Sequence, residues 1–400
     1  MKPIIIIGAG MAGYTVAREF RKLDKAHPLV IVTTDDGSFY SKPMLSNALA
    51  QGKTAQQLAS QSVMQMATQL GATIHAATRV LTIDTANKTV TTTAGLHAFD
   101  QLVLAVGANP IRIPMAGNAA DQVLSVNHLD HYHDFRTRLA QQVGENKRRV
   151  AILGAGLIGC EFADDLAGAG YTVTLIDPNR LPLAAIASPA LSQRLADALR
   201  ARGIALKLGT TAQSVNRVPD GLQVQLADAG SITVDIVLSA VGLRPDLALA
   251  QAPGIATQRG IVVDAYGQTS APDIYALGDC AEYTIAAEDA SRTMPYIAPL
   301  MAAARAIARS LSGSATPIAH APAPVIVKTP SFPLALLPPP PHMLSHGQWR
   351  ESTQGDTLVS RFFDANGIMQ GFGVAPQQAA LRQQLVGELG KPEVANTLVE

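Results

Sequence analysis

The chain has 400 residues, 48% of them hydrophobic but only 4% aromatic. That length exceeds one ordinary domain, and aliphatic side chains must fill the cores. Lys plus Arg and Asp plus Glu number 31 each, which argues against non-specific nucleic-acid binding and its net cationic footprint, while leaving room for a local basic patch that meets an acidic protein partner.

Residues 4–20, IIIIGAGMAGYTVAREF, read as strand, glycine turn and helix. A second apolar strand is predicted over 29–33. The opening apolar run is too short for a signal-peptide core and is broken by Gly8. Residues 71–106 alternate like hairpin strands and end in LVLAVG. His128, His131 and His133 crowd together without a second ligand cluster, so a solvated helix start is expected there and no metal site. Residues 150–167, VAILGAGLIGCEFADDLA, repeat the opening pattern, and a strand over 172–177 follows. Two such βαβ units imply two nucleotide-binding domains.

Beyond them, an amphipathic helix is predicted over 186–202 and short strands over 205–208, 222–226 and 236–240. Residues 241–246, VGLRPD, break regular structure and suggest a return of the chain to the first domain. An apolar strand over 274–279 ends in Gly278 and Asp279, and a helix is predicted over 297–311. From about residue 318 prolines punctuate the chain, and the run 338–341 reads as a rigid connector. Strands over 325–328 and 358–363 and a helix over 377–389 suggest a small α+β domain. No apolar stretch reaches the ~18 residues of a membrane span.

The chemistry sits on the glycine turns. Gly8-Ala9-Gly10-Met11-Ala12-Gly13 and Gly154-Ala155-Gly156-Leu157-Ile158-Gly159 each follow a strand and open a helix. In this pattern the first glycine permits the turn and the second lets backbone approach a pyrophosphate. The third lets helix pack on strand. Asp177 ends the second strand of the second unit, where a carboxylate bonds a free 2′-hydroxyl and repels a 2′-phosphate. NADH is therefore expected, with Arg180 keeping NADPH open. The matching tip of the first unit holds Thr33, followed by Thr34 and Asp35; Asp35 or a threonine hydroxyl is the candidate ribose contact. Asp279 alone reads as a helix cap, but beside two fingerprints it reads as a contact to the ribityl and phosphate part of a flavin.

Two GxGxxG units with a late Gly-Asp motif resemble the two-dinucleotide-binding flavoproteins that include glutathione reductase. The stretches AGYTVAREFRKLD, DDGSFYSKPMLSN, LGAGLIGCEFADDL, SAVGLRP, IYALGDCAEY and VIVKTP are similar to one branch of them, the rubredoxin–NAD reductases. The resemblance spans nearly the whole chain. It implies an α/β fold with two Rossmann-like domains. An FAD domain, 1–112 and 244–317, would carry an inserted NAD domain, 113–243, and a C-terminal α+β domain would cover 318–400. It also implies that Lys42 and Glu161 approach the flavin ring, with Glu161 neutralising and holding Lys42. Lys328 would contact the flavin, with backbone contacts from Val80 and Ile297, and Gly242 would belong to the NAD site. Without the resemblance, Lys42 reads as an exposed loop lysine, Glu161 as an ordinary first-turn acid and Lys328 as a snorkelling edge lysine.

Disulfide reductases of this family need a cysteine pair near the first helix, but the loop over residues 38–46 has none, and Ser41 stands where single-cysteine relatives carry theirs. The only cysteines, Cys160 and Cys280, follow a fingerprint glycine and Asp279 and read as buried packing residues in a reducing, cytoplasmic protein. Electrons are expected to pass from NADH to FAD and leave singly to rubredoxin, a small acidic iron protein, as in alkane hydroxylation. Oxygen or nitric oxide detoxification is the other pathway the resemblance allows. A [2Fe–2S] ferredoxin of an oxygenase system is an alternative acceptor, and a slow NADH-oxidising sensor is an alternative function. Lys42, Arg305, Arg309 and Lys328 are the basic candidates for acceptor docking.

Overall fold

The computed structural model describes residues 1–141, 148–285 and 290–393. The end of the expected C-terminal domain, 394–400, lies outside the described residues. Chain contacts divide the protein into two units. The first contains Met1–Lys42, Ala55–Ile111 and Leu243–Ala321; the second contains Pro43–Thr54, Arg112–Gly242 and Pro322–Glu400.

The first unit is built on a five-stranded parallel sheet, ordered Ile274–Ala276, Leu102–Leu104, Ile4–Ile7, Leu29–Val32, Thr73–His75. The strands Ile4–Ile7, Leu29–Val32 and Leu102–Leu104 are unbroken apolar runs, as a parallel sheet covered on both faces requires, while the edge strand Thr73–His75 is polar at both ends; Ile4, Ile5 and Ile6 are wholly buried. The helix Met11–Leu23 packs against the helix Ile297–Leu311. It ends at Asp24, whose Oδ1 accepts the N–H groups of Ala26 and His27 at 2.7 and 2.9 Å. Arg21 and Lys22 in its last turn offset the negative helix end. The sequence expectation of hairpins over 71–106 holds for Val80–Asp84, Thr89–Thr92 and Gly95–Ala98, an antiparallel meander. It fails at both ends, because Thr73–His75 and Leu102–Leu104 join the parallel sheet.

The second unit carries a four-stranded parallel sheet, ordered Ala205–Leu208, Thr172–Asp177, Arg149–Leu153, Ile236–Ser239. A three-stranded antiparallel sheet covers Ala212–Val218, Gly221–Leu226 and Ser231–Val234. The helix expected from residue 186 starts at Pro189 and runs to Ala201. Ser188 caps it by accepting the Leu191 N–H at 3.2 Å, and proline at the first turn gives up no hydrogen bond. The C-terminal segment forms a five-stranded antiparallel sheet, Val325–Val327, Leu334–Leu337, Met369–Ala375, Thr357–Phe363, Gln348–Gln354, with the helix Ala379–Glu388. Its Val327, Leu334, Leu336, Leu358 and Ala375 share one buried cluster with Leu191, Leu195 and Leu199. No helix among the described residues is long and apolar enough to cross a membrane.

Candidate functional site

In the first unit, each fingerprint glycine has its own reason to be glycine. Gly8 has φ +112°, and a Cβ there would strike the Ala105 carbonyl oxygen. A Cβ on Gly13 would strike the carbonyl oxygen of Gly8, so only glycine brings helix this close to turn. Gly10 differs: nothing stands within 4 Å of its Cβ position, leaving open space before the first turn of Met11–Leu23. That helix has no side-chain cap and no acid in its first turn, so its N–H groups and positive end are available to an anion. Ala9 and Ala12 are buried and Met11 is half-buried.

Thr33 lies one residue beyond the strand Leu29–Val32, buried, and its Oγ1 donates to Asp35 Oδ1 at 2.6 Å. The same oxygen accepts the Gly37 N–H at 3.1 Å, while Thr34 is exposed. The residues that replace the usual acid thus form one unit, with Asp35 still supplying a carboxylate. Val80 opens its strand, half-buried.

The strand expected to run to Asp279 stops at Ala276. Gly278, at φ +78°, begins a short 3₁₀ turn, Gly278–Cys280, that carries Asp279. A Cβ at Gly278 would lie 3.1 Å from Ala12 Cβ, so this turn abuts the fingerprint helix. Lys42 Nζ lies 4.0 Å from Asp279 Oδ2. Burial pushes the Lys42 ammonium below the usual lysine range, and Asp279 partly restores it. Ile297, the first residue of its uncapped helix, is 49% exposed. Arg305 and Arg309 lie one turn apart and exposed on that helix.

The second fingerprint repeats the design. Gly154 has φ +102°, with the Ala240 carbonyl oxygen 2.7 Å from its Cβ position; Gly156 faces open space; and a Cβ on Gly159 would strike the Gly154 carbonyl oxygen. The helix Leu157–Gly168 also lacks a side-chain cap and a first-turn acid. Leu157 is half-buried and Ile158 is 43% exposed beside the open glycine. Asp177 is buried; its Oδ2 accepts the Ala155 N–H at 2.6 Å and its Oδ1 accepts the Asn179 N–H at 2.8 Å. The carboxylate thereby fixes the glycine turn; Asn179 Nδ2 also donates to Oδ1 at 2.9 Å, so the acceptor capacity left is on Oδ2. Gly242, at φ +120°, is exposed.

Glu161 and Lys42 were expected to pair. The structure instead gives each an ion partner within its own unit, Asp279 for Lys42 and Lys328 for Glu161. Lys328 follows the strand Val325–Val327 rather than lying in it. Its Nζ is 3.2 Å from Glu161 Oε2, its N–H donates to Glu161 Oε1 at 2.9 Å, and its Nζ also donates to the Pro43 carbonyl. Ser46 Oγ donates to Glu161 Oε2 at 2.5 Å. Sequence spacing carries no sign of a pair 167 residues apart.

Two neighbours on the same helix went unnoticed in sequence. Asp165 accepts the N–H groups of Leu49 and Ala50 at 2.8 and 3.0 Å, and burial raises its carboxyl pKa. Asp164 accepts the Ser331 N–H and Oγ at 2.8 and 2.9 Å and lies 3.3 Å from Arg202 Nε. Three acids in a mostly buried stretch, EFADDL, were the available signal: they require partners.

Cys160 and Cys280 are free and fully buried. Burial pushes both thiols up, that of Cys280 to about 11, so neither is a ready thiolate. His128 and His131 stack with ring centroids 3.5 Å apart at the start of the helix Leu129–Ala140.

Residues 2–305 match the family model described as pyridine nucleotide-disulphide oxidoreductase, and residues 317–389 match the rubredoxin binding C-terminal domain. A rubredoxin-NAD(+) reductase from Alcanivorax borkumensis is 38% identical over 390 residues, covering 97% of this chain and 99% of the relative. One from Acinetobacter baylyi is 40% identical over 378 residues, 93% of each chain. Among solved structures, a ferredoxin reductase from Rhodopseudomonas palustris superposes with a TM-score of 0.87 at 23% identity, covering 98% of this chain and 96% of that one; it shares the fold. With its paired glycine turns on parallel sheets, the chain belongs to the pyridine nucleotide-disulphide oxidoreductase family, enzymes that bind a flavin and a pyridine nucleotide, and carries a C-terminal domain of the rubredoxin-binding kind.

Proposed function

We propose that this protein is an NADH-dependent, FAD-containing rubredoxin reductase of a reducing, cytoplasmic compartment. The observation that carries the acceptor is the rubredoxin-binding match over residues 317–389. FAD would sit on the first unit, with its pyrophosphate on Gly8–Gly13, its ribose near Thr33–Asp35 and its ribityl chain near Asp279. Val80, Lys42 and Ile297 would make further contacts, and the family resemblance adds Glu161 and Lys328 to the flavin-binding set. NADH would sit on Gly154–Gly159, Asp177 and Gly242, where the Asp177 carboxylate disfavours a 2′-phosphate.

FAD when bound accepts two electrons from NADH and releases them one at a time. Lys42 supplies positive charge and Asp279 holds it in place. Glu161 fixes Lys328 through both backbone and side chain, giving a second ammonium a set position. The buried, protonated thiols of Cys160 and Cys280 support a route that bypasses cysteine chemistry, with electrons leaving directly to an iron protein.

Stopped-flow reduction of the holoprotein by NADH, followed by mixing with rubredoxin, tests this reading. The expected outcome is reoxidation by rubredoxin much faster than by air and faster than by a [2Fe–2S] ferredoxin. Equal rates with air and rubredoxin would overturn the acceptor, and turnover of only a few per minute with every acceptor would favour a sensor.

A further inference from the structure

The turn that carries Asp279 has a support outside the residues so far placed at the flavin. The strand Ile274–Ala276 lies at the edge of its parallel sheet, bonded on its inner side to Leu102–Leu104. That inner side ends with the Leu277 N–H, which donates to the Leu104 carbonyl at 3.2 Å. An edge strand leaves its outer N–H and carbonyl groups in need of partners, and residues 267–269 supply them. The Thr269 N–H donates to the Ile274 carbonyl at 2.8 Å, and the Ala276 N–H donates to the Gly267 carbonyl at 3.0 Å. This cover stops short of Gly278, which is buried. A buried N–H left unpaired is costly. A side chain takes over where the cover ends: the Tyr283 hydroxyl accepts the Gly278 N–H at 3.0 Å.

Tyr283 is itself held firmly. Its strand, Ala281–Ile285, is the middle one of three, between Ile261–Val263 and Ala290–Thr293. The side chain is 1% exposed, and its ring meets His320 edge-on with centroids 5.5 Å apart. On the other side the turn abuts Ala12 of the fingerprint helix. Asp279 is the next residue after Gly278, and its Oδ2 lies 4.0 Å from Lys42 Nζ. That separation is the outer limit of an ion pair, so even a small shift of the turn would part the two charges.

We propose that Tyr283 is a positioning residue: by accepting the Gly278 N–H it holds the Gly278–Cys280 turn so that Asp279 stays within reach of Lys42. The functional weight of this contact rests on the reading of Lys42 as a charged contact of the flavin. Asp279 is the charged group that faces Lys42. Around Tyr283 stand Asp279 and Cys280 on the turn, His320 at the ring edge and Arg292 opposite on the neighbouring strand. A carboxylate beside an ammonium favours the charged form, so drawing Asp279 away moves the Lys42 midpoint to lower pH.

Tyr283→Phe keeps the ring and removes the acceptor. In the holoprotein, its alkaline limb of flavin reduction by NADH is expected at lower pH. At the wild-type midpoint its rate, relative to its own low-pH plateau, should be about twofold below wild type. The carbon resonance of Lys42 Cε, in protein with isotopically labelled lysine and assigned by its loss in Lys42→Arg, should shift its midpoint in the same direction without turnover. Asp279→Asn should shift both midpoints, and Tyr283→Phe should add nothing on that background. Ring-fluorinated tyrosine at position 283, a weaker acceptor, should give a smaller shift of the same sign, and it decides the matter if Tyr283→Phe does not fold. A lowered Tm with both midpoints unmoved makes Tyr283 a structural residue and overturns the proposal. A limb that survives Lys42→Arg, with the Cε midpoint still moved by Tyr283→Phe, overturns the flavin reading of Lys42 and supports the positioning.

Discussion

Lys42 carries a charge that its surroundings resist. Burial lowers its ammonium below the ordinary lysine value of 10.5, and Asp279 only partly offsets that. The charged form is the low-pH form, so a rate that depends on it falls as pH rises through the lowered pKa. Flavin reduction by NADH should therefore show an alkaline limb below pH 10.5. In Lys42→Arg the limb should disappear, since guanidinium stays charged throughout this range, and Lys42→Met should reduce the rate about 100-fold on the low-pH plateau and remove the limb, so that the difference from the wild type shrinks as pH rises through it. Stopped-flow rates across pH check this; a limb retained in Lys42→Arg assigns it to another group. At this scale the sequence was legible where chemistry forces one residue type. The six fingerprint glycines announced themselves because a Cβ has no room at four of those positions and would occupy open space at the other two. Charges were legible as residues but not as pairs: Lys42 with Asp279 and Glu161 with Lys328 are brought together by folding alone.

The helix Leu157–Gly168 shows what an element does beyond its fingerprint. Glu161, Asp164 and Asp165 each hold a different stretch of chain, at Ser46 and Lys328, at Ser331, and at Leu49 and Ala50. Asp165→Ala would leave two backbone N–H groups unpaired, and unfolding experiments should show a loss of about 1–3 kcal/mol. An unchanged Tm would mean water replaces the carboxylate. Apolar runs marked the central parallel strands Ile4–Ile7, Leu29–Val32 and Leu102–Leu104 in sequence because burial on both faces leaves few polar positions. Residues 71–106 misled at their ends because a three-residue parallel strand is too short to show a period.

Across the whole molecule, the C-terminal segment is part of the second unit's core. Val327, Leu334, Leu336, Leu358 and Ala375 are buried with Leu191, Leu195 and Leu199. The composition change near residue 318 marked a texture of turns and short strands but could not reveal a shared core, which depends on contacts distant in sequence. A chain truncated after Ala321 should therefore aggregate and lose NADH binding, measured as soluble yield and dinucleotide affinity. A soluble truncated protein that binds NADH with native affinity would show the segment to be independent.

The stretch Pro43–Thr54 belongs to the second unit although the first unit's chain runs on both sides of it, and Lys42 is the last residue before the seam. Asp165 and Glu161 clasp this stretch from the fingerprint helix. Recombination between relatives therefore cannot treat residues 112–242 as a self-sufficient cassette. A transplanted pyridine-nucleotide module would arrive with its clasping acids but without the loop they were selected to hold. Residues 43–54 and 322–393 must travel with it, so inheritance in this protein is interleaved along the gene.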